Sequence, residues 1–320
     1  MSTKLFFNGL VDDFGIRHHT DGQNWLKNTG YSLDDAARGL ILCLALNDLA
    51  GAKVLLNYLS RSQKGSDFYG FATSEKQFNT YPSSEDAKGQ VVWALGYGLS
   101  KDFESVQCRK ILSQVQASLP KMQHVRGYAY TLLGAIYFDL ELAGSLAGKI
   151  CGSLNDRTGE WFWPEDQLTY GNGILPYSLL RYSLVSGDKA AGQTGRKMLD
   201  FLQQCCQQDR ILGPIGNEGW FKKTASRPAE YSQQPVDAAY MVLAWLAEYQ
   251  LSSDKTSLTQ AQRWLDWFEG DNIAAKKMYL ADNLKCFDGI DKAGINQHSG
   301  AESNICLLLA RHLYKDKTTV

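Results

Sequence analysis

Acidic residues recur at one kind of place in this chain. Asp34 and Asp35, Glu85 and Asp86, Asp237, and Glu302 each stand just before, or in the first turn of, a strongly apolar segment. Tyr170 and Asn172 hold the same kind of place ahead of another such segment. Paired carboxylates can work on a glycosidic bond, one protonated to release the leaving group and the other ionised as base or nucleophile. Asp35, Asp86, Glu218 and Glu302 are the catalytic candidates. Asp and Glu also favour helix N-termini for capping and dipole reasons alone. Each acid taken singly therefore reads as a cap or first-turn residue, and the set becomes chemical only with its neighbours. Those neighbours are aromatics and amides in loops: Trp161, Phe162 and Trp163 in GEWFWPED, and Trp220 and Phe221 in GNEGWF. Aromatic rings offer flat apolar faces that suit the C–H faces of sugars. Asn172, Gln233, Gln234, Asn296 and Gln297 donate and accept at once, as hydroxyl recognition requires. Trp163, beside Pro164, reads equally well as a plug at the rim of the core. His298 lies in INQHSGAES, within reach of a ligand there, whereas the adjacent pair His18 and His19 reads as a loop feature.

The segments that must position these residues are of two kinds. Some are apolar on nearly all sides, as in 36–49, 91–99, 128–140, 174–185, 236–249 and 301–313, and such helices must be covered all round. Others are amphipathic: Phe103, Val106, Ile111, Val115 and Leu119 form one stripe, Met198, Leu199 and Leu202 a second, and Leu258, Ala261, Leu265 and Phe268 a third. The two kinds alternate, with inner helices expected to begin near residues 35, 86, 127, 173, 236 and 301. Six inner helices with outer ones between them predict an all-α fold, an (α/α)6 toroid of the six-hairpin-glycosidase-like kind, as a single domain over 1–320. A helical solenoid would show a fixed repeat, and this spacing drifts. If the inner helices run the same way, their polar starts converge on one mouth. Asp67 to Ala72 and Glu160 to Trp163 are β-prone and read as rim hairpins.

Bulk properties exclude several classes. Lys and Arg total 33 against 34 Asp and Glu, a net charge of -1, so no long-range field draws the chain to nucleic acid or an anionic membrane. With 44% hydrophobic and 21% charged residues it is ordinary globular material. The short apolar start, MSTKLFF, is not a secretory signal, and no uncharged run is long enough to span a bilayer, so a cytoplasmic protein is expected. The seven cysteines are odd in number and lack a CxxC pair, which argues against a disulfide framework and against a zinc site. No metal and no cofactor is expected. Asp34-Asp35 followed by Arg38 is too thin an acid set for a magnesium-diphosphate toroid of the terpene-cyclase kind, and the missing Cys/His cluster disfavours a zinc toroid.

Six blocks carry a resemblance: SLDDAARGLI (32–41), SSEDAKGQVVWALG (83–96), LTYGNGILPYSLL (168–180), GNEGW (216–220), EYSQQPVDAAYMV (230–242) and DGI…INQHSGAES (288–303). In this order, over nearly the whole chain, they resemble the bacterial (α/α)6 domains found alone or fused behind a family 4 glycosyltransferase in polysaccharide and mannoside gene neighbourhoods. The resemblance implies a carbohydrate-acting or carbohydrate-binding domain. It also implies that the cleft is lined by Asp34, Asp35, Arg38, Glu85, Asp86, Tyr170, Asn172, Glu218, Trp220, Gln233, Gln234, Asp237, Asp288, Asn296, Gln297 and Glu302, to which the residues themselves add Trp161, Trp163 and His298. Two departures stand out: Asp237 where a glutamate is usual, and Ala36-Ala37 where Asn-Ala is usual. The expected activity is hydrolysis of an oligosaccharide, mannose-containing ones included. The alternative is a non-catalytic glycan-binding partner of a separate glycosyltransferase. In either case the ligand is an oligosaccharide or polysaccharide.

Overall fold

The computed structural model describes residues 9–21, 24–154, 160–208, 211–281 and 285–318. Eleven α-helices lie among them: α1 (Leu33–Ala45), α2 (Leu49–Ser62), α3 (Glu85–Ser100), α4 (Ser105–Val115), α5 (Val125–Ala135), α6 (Leu140–Gly152), α7 (Ile174–Ser186), α8 (Lys189–Cys206), α9 (Pro235–Ser252), α10 (Lys255–Glu269) and α11 (Ala301–Thr318). The apolar segments α1, α3, α5, α7, α9 and α11 begin within two residues of the expected starts. In α1 every residue from Asp35 to Leu44 is buried, and in α9 every residue from Pro235 to Glu248.

Local chemistry sets these starts. Ser32 caps α1 by accepting from Asp35 N–H, and Ser84 caps α3 by accepting from Ala87 N–H. Asp188 and Asp254 cap α8 and α10 in the same way. Each such cap contributes about 1 kcal/mol. Pro235 opens α9, where its missing N–H costs nothing.

The amphipathic helices bury one stripe each. In α8 it is Ala191, Gly195, Met198, Leu199, Leu202 and Cys206; in α10 it includes Ala261, Trp264, Leu265 and Phe268. In α4 the buried stripe is Cys108, Ile111, Leu112 and Val115, and Val106 is 85% exposed. Val106 is five residues from Ile111, which places it off that face, whereas 108, 111, 112 and 115 follow helical spacing.

The chain forms two compact units. The first comprises Met1–Leu146 with His298–Ile305, and the second Ala147–Gln297 with Cys306–Val320. In the first, α1 packs on α2 and α3, and α3 packs on α5. Short antiparallel pairs join its loops: β1 (His19–Thr20) with β14 (Ser299–Gly300), β2 (Tyr31–Ser32) with β5 (Phe71–Ala72), and β3 (Gln63–Lys64) with β4 (Asp67–Phe68). The β-prone stretch from Asp67 to Ala72 thus forms strands. In the second unit α7 packs on α8 and α9, and α9 on α10. There β6 (Gln167–Leu168) pairs with β9 (Phe221–Lys222). The expected hairpin over Glu160 to Trp163 does not form. Trp161 and Trp163 are both buried, but among the described residues no strand pairs with that segment, and the pairing falls on Gln167–Leu168 instead. All seven cysteines are free thiols. Among the described residues no helix is long and apolar enough to cross a membrane.

The α3–α5 contact depends on two glycines. A Cβ on Gly96 would collide with the Gly134 carbonyl, and one on Gly134 with the Val92 carbonyl. Neither obstacle is a flexible side chain, so the helices would have to separate. Gly134→Ala should lower stability by roughly 1–3 kcal/mol, read as a lower urea midpoint at unchanged m-value. A midpoint equal to that of the parent would show that the close approach is not required.

Candidate functional site

The sequence Ser32-Leu-Asp-Asp-Ala-Ala-Arg38 does two jobs at once. Ser32 ends β2 and caps α1, and the helical turn that follows stacks Asp34 and Asp35 over Arg38 at i+4 and i+3 spacing. The Arg38 side chain is only 6% exposed. Its Nη2 donates to Asp34 Oδ2 at 2.9 Å and to Asp35 Oδ1 at 3.2 Å. Its Nη1 meets Glu302 Oε2 at 2.5 Å. The Ser32 hydroxyl donates to Asp34 Oδ1.

Glu302 comes from the first turn of α11, and β14 sets its position. Asn304 Nδ2 donates to Ser299 Oγ at 2.9 Å and to the Gly300 carbonyl at 2.6 Å. The backbone of His18 joins the two halves of the site: its N–H donates to Gly30 O at 3.0 Å, and its carbonyl accepts from Ala301 N–H at 2.8 Å. Gly30 holds φ 60°, a left-handed conformation in which a side chain would be strained. His18 Nδ1 lies 2.5 Å from Asp35 Oδ2. The Asp35 carboxylate, with no exposed side-chain surface, is thus bound on both oxygens.

The electrostatics follow from burial and this pairing. Burial opposes a charged His18, but the Asp35 charge and hydrogen bond, helped by Asp34 and Glu302, outweigh it and raise the imidazole to about 8. Burial likewise opposes an ionised Asp35, and the attraction and hydrogen bond of His18, then Arg38, hold its carboxyl below the usual range. Glu302 shifts the other way. Burial pushes it up, Asp35 and Asp34 add to that, and Arg38 and His18 offset it only in part. The site therefore holds a histidine protonated at neutral pH, a sealed carboxylate and a third carboxyl whose proton affinity is raised.

Phe71 stands beside it, 45% exposed, with its ring centroid 5.7 Å from that of His18 at 73°. Strand β5 places it directly opposite Ser32. It also borders a cavity of about 390 Å³ that includes Thr29, Gly30 and Thr73.

The sequence candidates divide accordingly. Asp34, Asp35, Arg38 and Glu302 come together. His18, expected to be a loop feature, joins them as the partner of Asp35, and Phe71 was not among the candidates. Glu85 is taken up elsewhere: its carboxylate accepts from Gln123 N–H and His124 N–H, both at 2.8 Å, and so caps the start of α5. Asp86 is half-buried in the first turn of α3, and His298 is exposed.

In the second unit, Asn172 closes a turn with the backbone of Thr169 and donates its own backbone N–H to Asp237 Oδ1, 3.3 Å away. Gln233 is buried, accepting from Trp267 Nε1 at 3.0 Å and donating to Glu230 O at 3.1 Å. Trp163 is fully buried and stacks on Phe201, so it fills the core of its unit. Trp161 is nearly so, with its Nε1 donating to Glu165 O. Tyr170 and Glu218 are exposed, Gln234 is half-buried at the cap of α9, and Trp220 is half-buried at φ 58°. Asp288 and Asn296 are half-buried about the β12 (Gly289–Asp291) and β13 (Gly294–Asn296) hairpin, and Gln297 is exposed beyond it. Among the described residues no three His, Cys, Asp or Glu side chains are grouped to hold a metal ion.

The raised pKa of His18 fixes a pH dependence. The folded state keeps a proton that the unfolded chain loses above about 6.5. The stabilisation is therefore complete below that value and disappears as pH rises through about 8. It amounts to on the order of 2 kcal/mol. Urea midpoints of the parent should fall between pH 6 and pH 9, and those of His18→Gln should fall distinctly less. An equal fall in both would remove His18 as the source.

No family model matches the sequence, and no curated protein matches it. Solved structures match over nearly the full length. A D-mannose isomerase is similar at 13% identity and a TM-score of 0.73, covering 98% of this chain and 95% of that one. A cellobiose 2-epimerase from Bacillus thermoamylovorans B4167 is similar at 11% identity and a TM-score of 0.73, covering 96% and 95%. A GH76 α-mannanase from Bacteroides thetaiotaomicron is similar at 10% identity and a TM-score of 0.67, covering 99% and 95%. At such identities the likeness is one of fold, and the chain has the all-α (α/α)6 toroid fold.

Proposed function

We propose that this chain is a carbohydrate-active enzyme, a glycoside hydrolase acting on an oligosaccharide, with its reaction centre on Arg38. The observation that carries this reading is that one guanidinium holds two unlike carboxyls. Glu302 is shifted toward its protonated form, and Asp34 is paired as a carboxylate at the opposite nitrogen. Glu302 gives its proton to the leaving glycosidic oxygen. Asp34, about a third exposed, serves as the base that activates water. Asp35, sealed between His18 and Arg38, acts as a positioning residue. His18, cationic at neutral pH, donates to a sugar hydroxyl, and the exposed ring of Phe71 stacks on the sugar face. The similar structures support a sugar ligand: their names specify mannose, cellobiose and mannan chemistry.

A second reading is aldose epimerisation or isomerisation, and the His18–Asp35 pair favours it. A histidine oriented through Nδ1 by a carboxylate is suited to exchanging a proton on the carbon next to a sugar carbonyl.

Proton NMR in D2O with manno-, gluco- and galacto-oligosaccharides separates the readings. Hydrolysis predicts new reducing-end anomeric signals. Glu302→Gln should slow their appearance 10²-fold or more while ligand line broadening persists. Deuterium entering at C2 without new reducing ends would select the second reading. Broadening with neither reaction would leave a glycan-binding partner of a separate glycosyltransferase and overturn hydrolysis. Asp86→Asn and Glu218→Gln in the same panel test the two remaining carboxylate candidates.

Phe71→Ala should raise KM about tenfold, the equivalent of ~1.4 kcal/mol, with kcat within twofold. A loss confined to kcat would move Phe71 from binding to the chemical step.

A further inference from the structure

The second unit holds a cavity of about 900 Å³ whose wall and rim are chemically unlike. The wall is aromatic. The Trp161 ring stands 5.3 Å from Phe201 at 74° and 5.4 Å from Phe221 at 63°. These edge-to-face contacts make a faceted cup, not a parallel slot. The cup is rigid: Trp161 Nε1 donates to Glu165 O at 2.7 Å, Trp163 stacks behind Phe201, and strand pairing with Leu168 fixes Phe221. The volume lies within the range of small-molecule sites.

The rim is cationic. Lys223 and Arg227 both line the cavity from the loop after β9, and both are exposed. Lys223 N–H donates to Asp166 O at 2.8 Å and Ala225 N–H to Lys222 O at 2.9 Å, which shapes the turn that carries them. Neither cation makes an ion pair with another described residue, and among the described residues lining the cavity Glu160 is the one acid. A local excess of positive charge in a chain of net charge -1 is a property of this place, not of the composition.

We propose that this cavity binds an acidic sugar. A pyranose ring rests on Phe221 beside the exposed edge of Trp161, and its anionic substituent, a carboxylate or a phosphate, meets Lys223 and Arg227. Gln204, exposed at the same cavity, supplies a donor and an acceptor for hydroxyls. A faceted cup suits the puckered C–H face of a pyranose better than a planar base, which stacks face to face. The site shares no residue with the Arg38 centre and does not depend on the reaction proposed for it.

Calorimetric titration of the full chain with tetragalacturonate, glucose 6-phosphate and neutral mannotetraose tests the inference. At least one acidic sugar should bind ten times or more tighter than mannotetraose, and 0.5 M NaCl should weaken it, as expected for solvated cations. Galacturonate binding alone assigns a carboxylate, and glucose 6-phosphate binding alone a phosphate. The double variant Lys223→Gln/Arg227→Gln should lose at least tenfold in affinity for the acidic sugar. Both residues are exposed, so its urea midpoint should match that of the parent. Glu302→Gln should keep the binding in full, which separates this site from the Arg38 centre. No binding of either acidic sugar, or binding that the double variant leaves unchanged, would overturn the proposal.

Discussion

A guanidinium withdrawn from water governs the first unit. Removing such a charge from solvent costs several kcal/mol unless carboxylates surround it in good geometry. Arg38 has Asp34 and Asp35 from its own helix, and these come free with helical spacing. The third acid, Glu302, is remote in sequence, and only the β1–β14 pairing and the start of α11 bring it to Nη1. The buried charge therefore links the start of α1, the start of α11 and the strand pair into one requirement. Any shift in one would strand an uncompensated ion in the others.

Charge counting explains why the acids around Arg38 behave differently. Arg38 and protonated His18 supply two positive charges, and Asp34 and Asp35 match them as ion-pair partners. Ionised Glu302 is a third negative charge beside two positive ones, and together with burial the charges of Asp35 and Asp34 raise its proton affinity for that reason. His18 and Glu302 are thus coupled. Neutralising His18 as pH rises removes one of the charges that holds Glu302 down, so their proton equilibria belong to the cluster as a whole.

Much of the helical frame was legible because its signals are local. Ser32 and Ser84 cap in place, and segments with no polar face declare where burial must be complete. Asp34 and Asp35 were legible as acids at a helix start, since that is set within one helical turn, whereas Arg38 entered the cleft only through the resemblance. His18 was not, because its partner lies across a bridged loop and nothing in the run His18-His19 marks which ring turns inward. Glu85 misled for the complementary reason. It looks like a first-turn acid of its own helix, yet its carboxylate caps α5, nearly forty residues on. Val106 was assigned to a buried stripe by its apolarity, although its angular position on α4 points it to water.

The second unit shows how differently polar residues near helix starts can be surrounded. Asn172 and Gln233 lie just ahead of α7 and α9, and their side chains meet backbone carbonyls, amides and an indole close at hand. As amides they donate and accept hydrogen bonds but carry no titratable proton. In the first unit the side chains are ionisable: Asp34 and Asp35 meet Arg38 of their own helix, and Asp35 also meets His18 from another segment, whose charge helps hold its carboxyl low. Residue type at a helix start is therefore a weak guide to reactivity. The presence of a buried, multiply shared cation is a stronger one, because it forces acids together that would otherwise remain apart.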